Sequence, residues 1–137
     1  MVKIYTDGAC SGNPGRGGWA AIIIDNKKIE KISGASENTT NNRMELIAII
    51  SALQYVKEQN IELFTDSKYT KDGIEKWILN WKKNGWKTSN KQDVKNIDLW
   101  KNLDKLNQEK NIQWNWVKGH ADNEYNNMAD ELARSKI

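Results

Sequence analysis

The amino-acid sequence predicts an α/β fold built on a five-stranded mixed sheet with helices on its faces. Three observations carry this expectation. Three short β-rich segments precede any helical pattern, after which helical and strand patterns alternate to the end of the chain. The unbroken apolar run Trp19 to Ile24 reads as a buried strand. Between Arg43 and Glu58, apolar residues at 44, 46, 47, 49, 50, 53 and 56 wrap nearly the whole helical surface, so that helix is packed on most sides.

Taken in order, Val2 to Thr6 alternates and ends at Asp7-Gly8. The stretch Cys10 to Gly18 is rich in Gly, Ser, Asn and Pro and is expected to be turn throughout. After Trp19–Ile24, Asp25-Asn26-Lys27 turns the chain into a third strand, Lys28 to Ser33, completing an antiparallel meander. Ile61 to Thr65 is a fourth strand. A helix after Asp66 carries Ile74, Trp77, Ile78 and Trp81 at helical spacing and is broken at Gly85. A further helix runs from about Val94 to Leu106, a fifth strand from Ile112 to Val117, and a last helix from Asn123 to Ser135. With 137 residues and no linker, repeat or low-complexity tract, one domain over residues 1–137 is expected.

Composition excludes several classes. The longest apolar run has six residues, far short of the ~20 that a membrane-spanning helix needs. The start, Met1 to Asp7, has no apolar signal-peptide core, and the single Cys10 allows no internal disulfide. A cytoplasmic monomer is the expectation. Charge is unevenly spread: residues 76–101 hold seven Lys against Asp93 and Asp98, whereas the remainder holds 14 basic and 16 acidic residues. Four of the seven Trp (77, 81, 86 and 100) lie in that basic stretch. Lys interleaved with aromatic rings suits a reader of phosphate backbones. An amphipathic helix pair with its Trp in the core fits the same composition.

Four carboxylates stand out by position. Asp7 and Asp66 close the first and fourth strands, at the sheet edge where α/β folds bind ligands. Glu45 lies in the first turn of the first long helix and Asp130 in the last helix. Each has an ordinary alternative: a tight turn at Asp7-Gly8, a capping-box Glu45, an N-cap Asp66, and an Asp130–Arg134 surface pair. Together they favour a cation site, because four clustered acids repel unless cations join them.

The segment Tyr5-Thr6-Asp7-Gly8-Ala9-Cys10-Ser11-Gly12-Asn13-Pro14-Gly15 resembles the first motif of type 1 ribonuclease H. Thr39-Thr40-Asn41-Asn42-Arg43-Met44-Glu45 resembles the second, and Thr65-Asp66-Ser67 the third. Val117-Lys118-Gly119-His120-Ala121 and Asn127-Met128-Ala129-Asp130-Glu131-Leu132-Ala133 are similar to the last two. All five stand in the family's order and span essentially the whole chain.

The resemblance implies a metal-dependent endonuclease that hydrolyses the RNA strand of RNA–DNA hybrids, leaving 5′-phosphate and 3′-hydroxyl ends. It implies that Asp7, Glu45, Asp66 and Asp130 ligate two Mg²⁺ ions, for which hard oxygen donors are suited, with Mn²⁺ as a substitute. His120, the only His, is implied to assist proton transfer, which an ordinary pKa near ~6.5 allows at neutral pH. Cys10, Asn13, Asn41 and Asn42 match residues that contact the minor groove, where the RNA 2′-hydroxyls lie. Thr40 and Arg43 are candidates for DNA phosphate contacts. Lys68 stands where relatives often carry Gln. The basic stretch about 76–101 resembles the family's handle, with Trp81, Lys82, Lys83, Trp86 and Lys87 as candidate hybrid contacts. No residues precede the first strand, so a separate N-terminal hybrid-binding domain is not expected. Two rival readings are a catalytically silent nucleic-acid-binding domain, which loss of a metal ligand would mark, and an excised reverse-transcriptase domain.

Overall fold

The structure is a computed structural model that describes residues 1–118 and 123–137. Its sheet has the strand order β3-β2-β1-β4-β5. Strands β1 (Val2–Gly12), β2 (Gly15–Asp25) and β3 (Lys28–Thr39) form the antiparallel meander, while β4 (Asn60–Thr65) and β5 (Asn111–Trp116) add in parallel beyond β1. The expected five-stranded mixed sheet is therefore present.

The alternation of the strands sorts their side chains to two faces. Val2, Ile4, Ala21 and Ile23 join Leu46, Ile49 and Leu53 of α1 (Asn41–Tyr55) in the larger core. Tyr5 and Ile22 pack on the opposite face with Ala129 of α5 (Glu124–Ser135). Both faces of β1 and β2 are thus buried, which is why Trp19 to Ile24 is apolar without interruption.

The glycine-rich stretch departs from expectation. Cys10 to Gly18 is not turn throughout: β1 runs on to Gly12, β2 begins at Gly15, and only Asn13-Pro14 turns. Gly17 and Gly18, and Gly8 before the stretch, serve close helix approach instead. A Cβ at Gly8 would stand 2.5 Å from the Glu45 backbone nitrogen, and one at Gly18 2.1 Å from the Ala133 carbonyl oxygen. Strand glycines commonly mark such contacts.

After β4 the chain enters α2 (Lys68–Asp72), a π-helical turn over Gly73–Trp77, and α3 (Ile78–Lys83). The hairpin then returns through Gly85 and Trp86 to α4 (Ile97–Glu109). Trp100 is fully buried between these helices, with the Trp77 and Trp81 rings against it at centroid distances of 6.5 and 5.5 Å. The rings of Trp81 and Trp86 lie 6.1 Å apart. The handle's tryptophans are therefore packed among themselves, as in the amphipathic-pair alternative. Trp86 takes a left-handed φ of 63°, a conformation that costs a side-chain-bearing residue about 1–2 kcal/mol. Its amide bond to the Trp81 carbonyl (2.6 Å) and its carbonyl bond from the Val94 amide (3.1 Å) hold it there.

The π-helical turn coincides with the tightest contact of the handle. A Cβ on Gly73 would lie 2.0 Å from Cη2 of Trp100. Gly73→Ala is expected to displace the indole or widen the turn, lowering stability by about 1–3 kcal/mol as overpacked cores do. Chemical denaturation of the purified variant measures this, and unchanged stability would show that the contact yields without cost.

Candidate active site

The sheet brings four acids to one edge. Continuing the parallel register of β1 and β4, where Tyr5 pairs with Phe64, sets Asp7 level with Asp66 just past the end of β4. Asp7 shares the face of Tyr5, so it turns toward α5, from which Asp130 hydrogen-bonds it. Glu45 enters from the first turn of α1. Carboxylate oxygens of Asp7, Glu45 and Asp66 lie within 4.8 Å of one another. An open cleft lined by all four acids carries Cys10, Asn41 and Asn42 on its rim.

The ordinary alternatives fare differently. Asp7-Gly8 lies inside a strand and makes no turn. Thr40 caps α1, its hydroxyl accepting from the Arg43 amide at 3.2 Å, so Glu45 is left for the cleft. The N-cap of α2 is Ser67 rather than Asp66. The Asp130–Arg134 pair is real at 2.5 Å, so that acid has a cationic neighbour as well as an acidic one.

Burial and crowding shape the electrostatics. Asp7 is raised from 3.8 to about 8, first by burial, then by the hydrogen bond with Asp130 and the charges of Asp66 and Asp130. Glu45 is raised well above the ordinary carboxylate value by burial and by the charges of Asp7 and Asp66, although the Gly8 amide donates to it. Its Oε2 is buried and without a hydrogen-bond partner among the described residues. An orphaned carboxyl oxygen beside further carboxylates suits a hard cation with oxygen ligands.

Other expected site residues have structural partners. Asn13 Oδ1 accepts from the Asn41 amide at 3.2 Å, and the Cys10 thiol donates to the Thr39 carbonyl at 3.4 Å. These bonds join the β1–β2 hairpin to the start of α1. Arg43 makes a bidentate bridge to Asp98 (3.1 and 2.9 Å) and a bond to Asn96 Oδ1 (3.1 Å), with Asp98 held below the ordinary carboxylate range by that guanidinium. Asn96 and Trp100 both donate to the Tyr69 hydroxyl at 3.0 Å. This network couples α1 to the handle and was not legible from the motifs. Its only sequence traces were the charge of Asp98 and an Asn at 96, a residue type that tolerates the left-handed backbone it adopts there. In the handle, Lys82 pairs with Asp104 at 3.2 Å and Lys87 with Asp93, while Lys83 has no ion pair among the described residues. His120 lies outside the described residues.

The RNase H family profile matches residues 1–137. The chain belongs to the RNase H family. It therefore acts as a ribonuclease on the RNA strand of RNA–DNA hybrids. It is 60% identical over 135 residues to a ribonuclease H of Mesorhizobium japonicum, covering 98% of this chain and 76% of the relative. It is 55% identical over 138 residues to a ribonuclease H of Acetivibrio thermocellus, covering 99% and 94%. Among solved structures it resembles LC9-RNase H1, a type 1 RNase H with the type 2 active-site motif, at a TM-score of 0.83 and 29% identity over 98% of this chain and 70% of that one. LC11-RNase H1 in complex with an RNA/DNA hybrid matches at a TM-score of 0.71 and 24% identity, covering 100% and 96%. No helix among the described residues is long and apolar enough to cross a membrane.

The raised acids fix the pH response of the metal-free protein. A carboxyl with a folded value near 8 and an unfolded value near 3.8 binds more protons when folded across that interval. Stability therefore falls as pH rises through it. Thermal melts in a chelator are expected to show Tm falling from pH 5 to pH 8, with a smaller fall for Asp7→Asn or after adding a divalent cation. A Tm that rises over that range would contradict the crowding.

Proposed function

We propose that Asp7, Glu45, Asp66 and Asp130 hold two Mg²⁺ ions and that these residues direct hydrolysis to 5′-phosphate and 3′-hydroxyl products. The observation that carries the reading is the convergence of acids from β1, α1, the end of β4 and α5, with a buried Glu45 oxygen left unsatisfied. When bound, the ions would supply a water nucleophile at neutral pH and charge stabilisation for the leaving 3′-oxygen. Mn²⁺ accepts the same donors and should substitute.

The chain's own groups do the rest. Asp7 and Glu45 sit on rigid backbone, so their oxygens are placed before substrate arrives. Asn41 and Asn42 offer amides on the cleft rim to the minor groove, where a 2′-hydroxyl can both donate and accept, with Cys10 on the same rim and Asn13 joined to it through the Asn41 amide. Thr40 offers its hydroxyl, and Arg43 its charge, beside DNA phosphates. Arg43 does so from within its bridge to Asp98, which fixes the guanidinium in place. His120 carries protons between the reacting oxygens and solvent, a task an imidazole can perform at neutral pH. Lys82, Lys83 and Lys87 contact phosphates from the handle, and the packed rings of Trp81 and Trp86 hold the turn that presents them. The working unit in this reading is one catalytic domain over 1–137, with the handle at about 76–101, acting as a cytoplasmic monomer.

Asp7→Asn is expected to abolish Mg²⁺-dependent cleavage of a labelled hybrid while leaving hybrid binding largely intact. Normal turnover by the purified variant would remove Asp7 from the metal set. Single-stranded RNA, duplex RNA and duplex DNA run alongside should remain uncut.

For the handle, replacing Lys82, Lys83 and Lys87 together by Ala should raise KM, spare kcat and flatten the salt dependence of binding. At about 0.9 per phosphate contact on a B-form duplex, the slope of log K against log salt should fall by roughly 2–3. The exposed Lys87–Asp93 pair does not prevent this, since such pairs contribute only about 0–1 kcal/mol, and Lys82 keeps an exposed ammonium beside the more buried Asp104. Titrations at several salt concentrations decide, and an unchanged slope would leave the handle without phosphate contacts.

A further inference from the structure

A second groove adjoins the acidic cleft on its β5 side. Thr65, Asp66, Ser67, Lys68, Lys71, Trp116, Val117 and Lys118 enclose about 280 Å³. Asp66, Ser67 and Lys68 line both spaces, so the groove continues directly from the acids. Lys68, Lys71 and Lys118 gather three positive charges there, the first two from α2 and the third from just past the end of β5. None of the three has an ion pair among the described residues, in contrast to Lys82 and Lys87 of the handle. The flat face is preset as well. Trp116 stacks on Trp114 with centroids 5.4 Å apart and planes 11° from parallel, and Trp114 is itself anchored by its Nε1–H bond to Asn107 at 3.0 Å.

Unpaired ammonium groups around an anchored aromatic wall make a site for a phosphate and its attached sugar. The occupant follows from position. The strand being cut must place its scissile phosphate at the acids, and the next nucleotide of the same strand lies about 3.4 Å further along the helix axis. We propose that this groove binds a phosphodiester of the RNA strand next to the one cut, with Lys71 and Lys118 as its cationic contacts and the Trp116 ring against the adjoining sugar. The groove is then a positioning site: it fixes how far the RNA strand reaches past the acids and so which linkage meets them. The inference rests on the hybrid-cleaving reading above.

The test moves one neutral methylphosphonate linkage, carried on a 2′-deoxy nucleotide, along the RNA strand of a hybrid with a single cut site. A uniformly anionic strand with the same 2′-deoxy substitution serves as reference. For the unaltered protein, one position beside the cut should raise KM by roughly tenfold, the size of a lost charge-assisted contact. Lys71→Ala with Lys118→Ala should raise KM on the reference hybrid by a similar factor and suffer no further penalty from the neutral linkage. Lys71→Arg with Lys118→Arg should restore the penalty. Equal penalties in the unaltered and Ala proteins at every RNA position would overturn the proposal, as would coupling that appears only when the neutral linkage is in the DNA strand. Cleavage of the reference hybrid by the unaltered protein is a separate readout. Its absence would overturn the hybrid-cleaving reading itself, whereas its presence without coupling overturns the groove alone.

Discussion

Mutual repulsion among carboxylates at one sheet edge is the constraint on which the rest of the structure depends. Left to itself, a buried Asp7 beside Glu45, Asp66 and Asp130 would relax by moving apart or by holding protons, and burial first, then the neighbouring charges, pushes Asp7 and Glu45 toward the second response. The first is blocked by backbone. Asp7 is fixed by its pairing with Ala20 of β2, in a strand that β4 flanks on the other side as far as Tyr5, and Glu45 by the capped first turn of α1. Arg134 offsets part of the charge from the solvent side of Asp130. The fold thus stores an unfavourable arrangement that a cation relieves, and catalytic acids commonly sit in such arrangements.

Holding the acids that close requires backbone to approach backbone. Gly8 lets the first turn of α1 lie directly on β1 and turns its own amide toward the Glu45 carboxylate. Gly18 does the same for α5 on the other face, which carries Asp130 to Asp7. The handle is coupled to this arrangement by side chains rather than by backbone. Arg43, two residues before Glu45, grips Asp98 and Asn96, and Asn96 reaches Tyr69, three residues after Asp66. A displacement of the handle would therefore pull on the residues beside two of the four acids.

The order and kinds of the elements were legible because the apolar periods are strong: the all-round apolar helix and the doubly buried strand could be little else. The acids were legible by placement at strand ends and by motif. The length of the hairpin strands was not, because Gly and Asn signal both turns and close approach, and sequence cannot show which neighbour will press on them. The role of Arg43 was hidden for a related reason. A guanidinium suits a phosphate and a carboxylate equally, and only the fold brings Asp98, 55 residues away, within 2.9 Å. The groove of Lys71, Trp116 and Lys118 joins segments some 45 residues apart that share no pattern.

Charge segregation follows from the same constraint. A cleft of four acids repels a polyanion at long range, so affinity has to come from elsewhere on the surface. In the reading proposed above, the chain meets this with lysines in the handle and in the groove that adjoins the acids on the β5 side. Their circumstances differ. Handle lysines that already pair with Asp93 and Asp104 must exchange one anion for another, which costs little and gains little. The groove lysines have no ion pair to give up among the described residues, so a phosphate arriving there displaces no described carboxylate. In that reading, attraction beside the acids lets substrate bind while the carboxylates stay open to a divalent cation.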